Sequence, residues 1–221
     1  MQAGSVREQM IEQQVRAWDV LDERVLAAMR AVPRELFVPE SQRFLAYADA
    51  EVPLPHGQHM LRPSVIGRIL QALLPRPDEA ALEIGAGTGF LSACLHAMVS
   101  RVRALEIFPE LAQAARANLA ACGLDAVDIV VADAMQSGAL SEPTSARYGV
   151  IAVSGSLPRY DERFEQLLQL GGRLFVVVGE PPVMEARLVR RIAEDRFQSE
   201  SLFETVIDPL VNATPPPAFT F

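Results

Sequence analysis

The sequence predicts an α/β fold. It is a three-layer sandwich around a mostly parallel, seven-stranded sheet, with an antiparallel C-terminal pair and an N-terminal helical cap. Three observations carry this expectation. From residue 80 to 178, continuous apolar runs alternate with helical patterns, and strands apolar on both sides belong to parallel sheets covered on both faces. At 81–90 the chain reads ALEIGAGTGF, an apolar run that ends in an acid and turns through three glycines into a helix. After Gly179, two strand-like segments follow with no helix between them, as in an antiparallel pair.

The elements follow in order. Met10, Ile11, Val15 and Trp18 stand at helical spacing in a first helix over 6–18. Asp22 is a plausible N-cap for a second, which runs through Val25, Leu26 and Met29 and ends before Pro33. A short helix is expected around 41–46, then a loop over 47–62 that holds two prolines, a glycine and two of the three histidines. Pro63 opens a helix with a stripe from Val65 to Leu74, stopped by Pro75 and Pro77. A strand at 80–84 leads through Gly85, Gly87 and Gly89 into a helix over 90–98. A strand at 102–107 includes Glu106, and a helix from Pro109 is capped by Gly123. Strands are read at 127–132, ending at Asp133, at 148–153, and at 174–178 after Gly171-Gly172. The closing pair is read at 186–192 and 201–211, with an extended proline-rich tail.

The bulk properties bound the function. At 221 residues the chain suits one domain, with 1–78 as cap and acceptor loop, 79–180 as the binding core, and 181–221 as closing strands and tail. The net charge of −8 argues against a nucleic-acid partner held by phosphate contacts. All 20 basic residues are arginine, so lysine Schiff-base and P-loop lysine chemistry are excluded. Cys94 and Cys122 sit in apolar helical patterns and read as small buried hydrophobes. The first residues lack a signal-peptide core and no apolar run reaches membrane-spanning length, so a cytoplasmic protein without a membrane partner is expected.

The glycine turn suits a ligand that approaches the backbone closely. A dinucleotide site reads G-x-G-x-x-G, whereas this turn reads G-x-G-x-G. Glu106 would bind ribose hydroxyls in either class. Glu83, two residues before Gly85, separates them. A pyrophosphate is repelled there, whereas the cationic end of S-adenosyl-L-methionine is attracted. The alternative for Glu83 is a structural acid paired with an arginine. Asp133 would accept from an adenine amino group. The cofactor set read in this way is Glu83, Ile84, Gly85, Gly87, Gly89, Glu106, Ile107, Asp133 and Ala134, with no metal.

Those residues resemble the cofactor site of class I (Rossmann-like) S-adenosylmethionine-dependent methyltransferases. The segments REQMIEQQVRAWDVLDERVLAAMRAVPRELFVPE and LAYADAEVPLPHGQ, the helix from Pro63, YGVIAV and GGRLFVVVG further resemble the protein-L-isoaspartate O-methyltransferase family. The resemblance covers roughly residues 7–180. It implies methyl esterification of isoaspartyl carboxylates in damaged proteins, a repair reaction, with S-adenosyl-L-homocysteine as product. One loop departs from it. The family reads roughly Gln-Thr-Ile-Ser-x-Pro after His-Gly. Here His56-Gly57 precedes Gln58-His59-Met60-Leu61-Arg62-Pro63, so the threonine position holds His59 and the serine position Leu61. Arg62 could pair with an acceptor carboxylate, His59 could serve as a base, and Ser154 could supply a hydroxyl. Three readings stay open: transfer to an isoaspartyl carboxylate, transfer to a small molecule or other protein group, and cofactor binding without transfer. The sequence leaves the oligomeric state open.

Overall fold

The structure, a computed structural model, describes residues 3–136, 138, 140 and 147–213. Seven strands form the main sheet in the order β5-β4-β3-β6-β7-β8-β9. They are β3 (Ala80–Ile84), β4 (Arg101–Glu106), β5 (Asp128–Val131), β6 (Tyr148–Leu157), β7 (Leu168–Glu180), β8 (Val183–Ala193) and β9 (Arg196–Thr205). β3 through β7 pair in parallel, and β8 and β9 close the edge in antiparallel register. β3 and β6 are adjacent across a change in winding direction, and their C-terminal ends form the crevice where such sheets bind ligands.

Alternation along the strands divides the core. Val150, Ala152, Phe175 and Val177 face the helices, while Ile151, Val153, Leu174 and Val176 face the opposite side. Helices α2 (Glu23–Ala31), α3 (Pro63–Leu73), α4 (Phe90–His96) and α5 (Pro109–Ala121) bury their stripes in the first layer. Phe164, Leu168 and Tyr148 are buried in the second.

Local chemistry explains most boundaries. Asp22 caps α2 by accepting the Arg24 N–H at 2.9 Å. α3 begins at Pro63, and its last carbonyls, on Leu73 and Leu74, accept from the buried Arg173. Arg173 also pairs with the buried Glu79 at 2.5 Å, so β7, the end of α3 and the start of β3 share one charged joint. The first helix differs from a uniform 6–18 segment. α1 (Ala3–Met10) continues as a wide turn over Ile11–Val15 and a tight one over Arg16–Trp18, ended by Asp19 at φ 58°. The expected helix at 41–46 is a tighter 3₁₀ turn over Glu40–Leu45.

Three expectations need correction. The 47–62 loop contains a small hairpin, β1 (Val52–Pro53) against β2 (His59–Met60), made possible by positive φ at His56 and Gly57. The second closing strand spans Arg196–Thr205 instead of 201–211, because the chain turns tightly after Ala193 and leaves the sheet after Thr205. Residues 206–213 then form a strap over the C-terminal ends of the parallel strands. There the Ser156 N–H donates to Asp208 O at 2.8 Å and the Leu210 N–H to Ser156 O at 2.9 Å. β6 accordingly runs on through Ser154-Gly155-Ser156 to Leu157, beyond the 148–153 expected of it. Glycine suits this crossing, since a Cβ on residue 155 would crowd Leu210, 2.8 Å from its Cδ2 and 3.1 Å from its backbone N. The proline-rich tail from 214 onward lies outside the described residues.

Two further contacts tie the cap to β9 and to α4. Trp18 stands edge-on to Phe203 of β9 at 6.5 Å, flanked by the guanidinium of Arg62 at 6.0 Å from its ring centre. Arg34, fully buried, donates to Ala46 O and Leu61 O and lies 4.9 Å from the centre of the Phe90 ring.

Candidate active site at the ends of the parallel strands

After β3 the chain turns back on itself. The Gly85 and Ala86 N–H groups both donate to Leu105 O, at 2.8 and 3.1 Å, while Gly85 and Gly87 take positive φ. Glu106, 4 % exposed, holds the turn by accepting the Gly87 N–H at 2.8 Å and the Phe108 N–H at 3.0 Å. Burial raises the pKa of its carboxyl, and these two backbone donors oppose the rise. Asp133 accepts the Met135 N–H at 2.9 Å and the Asn212 side-chain amide at 2.8 Å. Between these groups lies an open cleft. Gly85, Gly87, Glu106, Ile107, Asp133 and Ala134 all line it.

The other expected cofactor residues stand elsewhere. Ile84 is buried in the second core layer. Gly89 caps α4 and faces α5, where a Cβ would meet the Ala115 Cβ at 3.2 Å. Glu83, 1 % exposed, lies behind the glycine turn in a smaller chamber walled by Met60, Leu61, Ile66, Phe90 and Leu91. Its partners are hydroxyls, not an arginine: Ser92 donates to it, and Ser154 Oγ lies 3.5 Å away. Burial pushes its pKa up to about 8, with the Glu106 charge adding to the rise and the Ser92 and Ser154 hydrogen bonds opposing it. In the free protein at neutral pH this carboxyl is therefore largely neutral.

Cleft and chamber meet at five residues that line both: His59, Leu61, Gly85, Gly87 and Ser154. Ser154 Oγ lies 2.7 Å from Gly85 O and 2.9 Å from Ile84 O, both closer than the Glu83 carboxyl. His59 places Nδ1 2.9 Å from the Asp208 carboxylate on the strap. Leu61 is buried, and its carbonyl is held by Arg34. Arg62 is not brought to the site: it precedes α3, and its guanidinium lies over Trp18. His56 fixes the hairpin from outside, stacked on Phe108 at 4.0 Å with Nε2 3.4 Å from Glu110.

Several lining residues escaped sequence reading, among them Glu51, Leu54, Phe108, Asp208, Leu210 and Val211. Phe108 follows directly on the strand-end acid and was within reach of a spacing rule. Pro209 was a signal that a strand could not run to 211. Nothing in the local sequence shows that the segment carrying it crosses the cleft.

Comparison with known proteins agrees with this geometry. Residues 5–214 match the family model for protein-L-isoaspartate(D-aspartate) O-methyltransferase. A protein-L-isoaspartate O-methyltransferase from Rhodopseudomonas palustris is 39 % identical over 205 residues, 92 % of each chain. One from Aeropyrum pernix is 38 % identical over 209 residues, 93 % of this chain and 79 % of that one. A Plasmodium falciparum structure named for the same activity, in complex with S-adenosyl-L-homocysteine, superposes with a TM-score of 0.79 at 19 % identity. It covers 92 % of this chain and 97 % of its own, and it shows the shared fold. From the glycine turn, the strand-end acids and a match that spans nearly the whole chain, this protein belongs to the protein-L-isoaspartate(D-aspartate) O-methyltransferase family.

Proposed function

We propose that this enzyme transfers a methyl group from S-adenosyl-L-methionine to the free carboxylate of isoaspartyl residues in proteins or peptides, within a single catalytic domain. The observation that carries the reading is the acid-walled cleft beside the glycine turn. Glu51, Glu106, Asp133 and Asp208 line it, and no arginine does among the described residues. A dinucleotide pyrophosphate would find repulsion there, whereas a ligand with an ammonium and a sulfonium finds attraction. When bound, the cofactor supplies a methyl group already activated by the positive sulfur. Glu106 would hold ribose hydroxyls, Asp133 and Met135 would face the base, and Gly85 and Gly87 would let the ligand close on the backbone. Glu83 is placed to regain its charge when a cation settles beyond the turn.

The acceptor belongs at the junction, next to the chamber. A carboxylate is already ionised near neutral pH, so no residue needs to remove a proton. One O–C bond forms, one S–C bond breaks, and the electron pair stays on sulfur. The protein's task is alignment and exclusion of water. Met60, Leu61, Phe90 and Leu91 supply an apolar wall for this. Among the described residues no helix is long and apolar enough to cross a membrane.

The direct test is base-labile methyl transfer to an isoaspartyl peptide beside its aspartyl twin, with calorimetry of S-adenosyl-L-homocysteine against NAD. Transfer to the first peptide alone is expected. NAD binding alone would overturn the cofactor reading. A second reading, a small-molecule or other protein acceptor, rests on Leu61, which offers no hydrogen bond where the family resemblance places a serine. Leu61→Ser separates the two. A several-fold rise in kcat/KM for the isoaspartyl peptide supports the carboxylate acceptor, and firm cofactor binding without transfer to either peptide supports the other.

A further inference from the structure

We infer that His59, held by Asp208, is the group that receives and orients the substrate carboxylate. This rests on the isoaspartyl reading and assigns its missing contact. The methyl must cross at the junction between cleft and chamber, and only His59 and Ser154 bring polar side chains there. Ser154 Oγ faces three acceptors for its one proton, the carbonyls of Ile84 and Gly85 and, at 3.5 Å, the Glu83 carboxyl. Leu61 has no such proton to offer. The Thr88 hydroxyl, buried without a partner in the chamber wall, is neutral and brings no charge to a carboxylate.

The charged surroundings narrow the choice further. Asp208 lies on the strap and Glu51 beside the hairpin, with Glu83 behind the glycine turn and Glu106 and Asp133 across the cleft. His56 is turned outward to Glu110 at 3.4 Å. A substrate carboxylate therefore enters among acids, and His59 is the one basic side chain among the described residues lining either cavity.

The geometry leaves the imidazole ready for that role. Its Nδ1 is 2.9 Å from Asp208 Oδ2, so Nδ1–H donates to the strap and the ring plane is fixed. No protein group among the described residues holds Nε2. In the imidazolium form, Nε2–H donates to one substrate oxygen while the other faces the methyl group. Asp208 is the positioning residue. It also balances the imidazolium charge, which would otherwise stand near the cofactor's positive sulfur.

Because the carboxylate binds the imidazolium form, its binding is linked to proton uptake. The test uses the full-length enzyme saturated with S-adenosyl-L-homocysteine and an isoaspartyl hexapeptide. Calorimetry in buffers of different ionisation enthalpy, from pH about 6 to 8 where imidazoles change charge, reads both affinity and protons. The wild type takes up protons, and its Kd rises with pH by at most about tenfold per unit. His59→Gln, a neutral donor of similar reach, retains binding but loses both the uptake and the pH dependence. His59→Leu weakens the peptide about tenfold or more at pH about 6 while still binding S-adenosyl-L-homocysteine. Asp208→Asn, which removes the charge that holds the ring, weakens peptide binding at pH about 6, and Asp208→Glu restores it. Wild-type peptide affinity in His59→Leu, or wild-type binding without proton uptake, overturns the assignment. If the wild type methylates the isoaspartyl peptide and His59→Leu matches it, the His59 role alone fails. If the wild type binds S-adenosyl-L-homocysteine but neither binds nor methylates the peptide, the isoaspartyl reading fails with it.

Discussion

At the scale of single residues, two glutamates of similar burial do different work. Glu106 has two backbone N–H donors and shapes the turn, so its loss removes a charged acceptor from the glycine loop and, in its proposed ribose-binding role, from the ligand. Glu106→Ala is expected to weaken S-adenosyl-L-homocysteine by about 1–3 kcal/mol, or roughly 10- to 100-fold, read by calorimetry. Unchanged affinity would remove it from the ribose site. Glu83 has only hydroxyl partners, and its pKa stands at about 8 against an ordinary 4.5. The sign of the pH effect follows. Stability from the protonated carboxyl is complete below pH 4.5, where the unfolded chain also holds the proton, and is lost as the pH climbs toward 8. Glu83→Gln removes this titration, so the fall in urea midpoint between pH about 5 and 8 should be shallower than in the wild type. Parallel pH profiles would mean that Glu83 is already ionised in the fold. The position of Glu83 was legible as a strand-end acid. Its neutrality was not, because desolvation depends on Leu61, Phe90 and Leu91, which other segments bring.

At the scale of elements, the joint around Arg173 holds three of them. Its guanidinium satisfies the carbonyls that end α3 and pairs with Glu79, which is 3 % exposed and also accepts the Arg76 N–H. Arg173→Met leaves that carboxylate with only the exposed Arg76 guanidinium, at 2.8 Å, and those carbonyls short of donors. A loss of about 3–5 kcal/mol is expected in denaturant unfolding, the range for breaking a buried pair by removing one partner. A loss under about 1 kcal/mol would mean that Arg76 and water compensate. The helices and parallel strands were readable because each follows from a local rule: Asp22 before α2, Pro63 and Pro109 at first helical positions, Gly123 after α5. The hairpin at 52–60 was not, since its strands span two residues each and its turn uses a left-handed His56.

At the scale of the whole molecule, the strap ties remote parts of the site together. Ser156 holds it to β6, His59 to the 52–60 hairpin and Asn212 to Asp133 beyond β5. It crosses Gly155 with no room for a larger side chain. Gly155→Val should lift it, seen as faster amide exchange at Ser156 and Leu210, with exchange at β3 and β4 unchanged. Protection as in the wild type would show that the strap is held from outside this crossing. Because the strap reaches both ligand regions, the same variant should weaken S-adenosyl-L-homocysteine and peptide together. This is the level at which the sequence was least informative. The class of cofactor is written within about 50 residues, from Glu83 to Asp133, because each strand end supplies its own acid. Asp208 and Leu210 lie far along the chain from the glycines they cover, and only the crossing of the sheet brings them there.

Trp18 gives the same long-range order an optical consequence. It is the chain's one tryptophan, partly exposed where the cap meets β9, with Phe203 at its edge and Arg62 beside its ring. Arg62 lies two residues after β2 of the hairpin, so a shift of that hairpin alters the field around the indole. Intrinsic emission from the unlabelled protein should therefore report the seating of the cap during catalysis and unfolding, without competition from another indole.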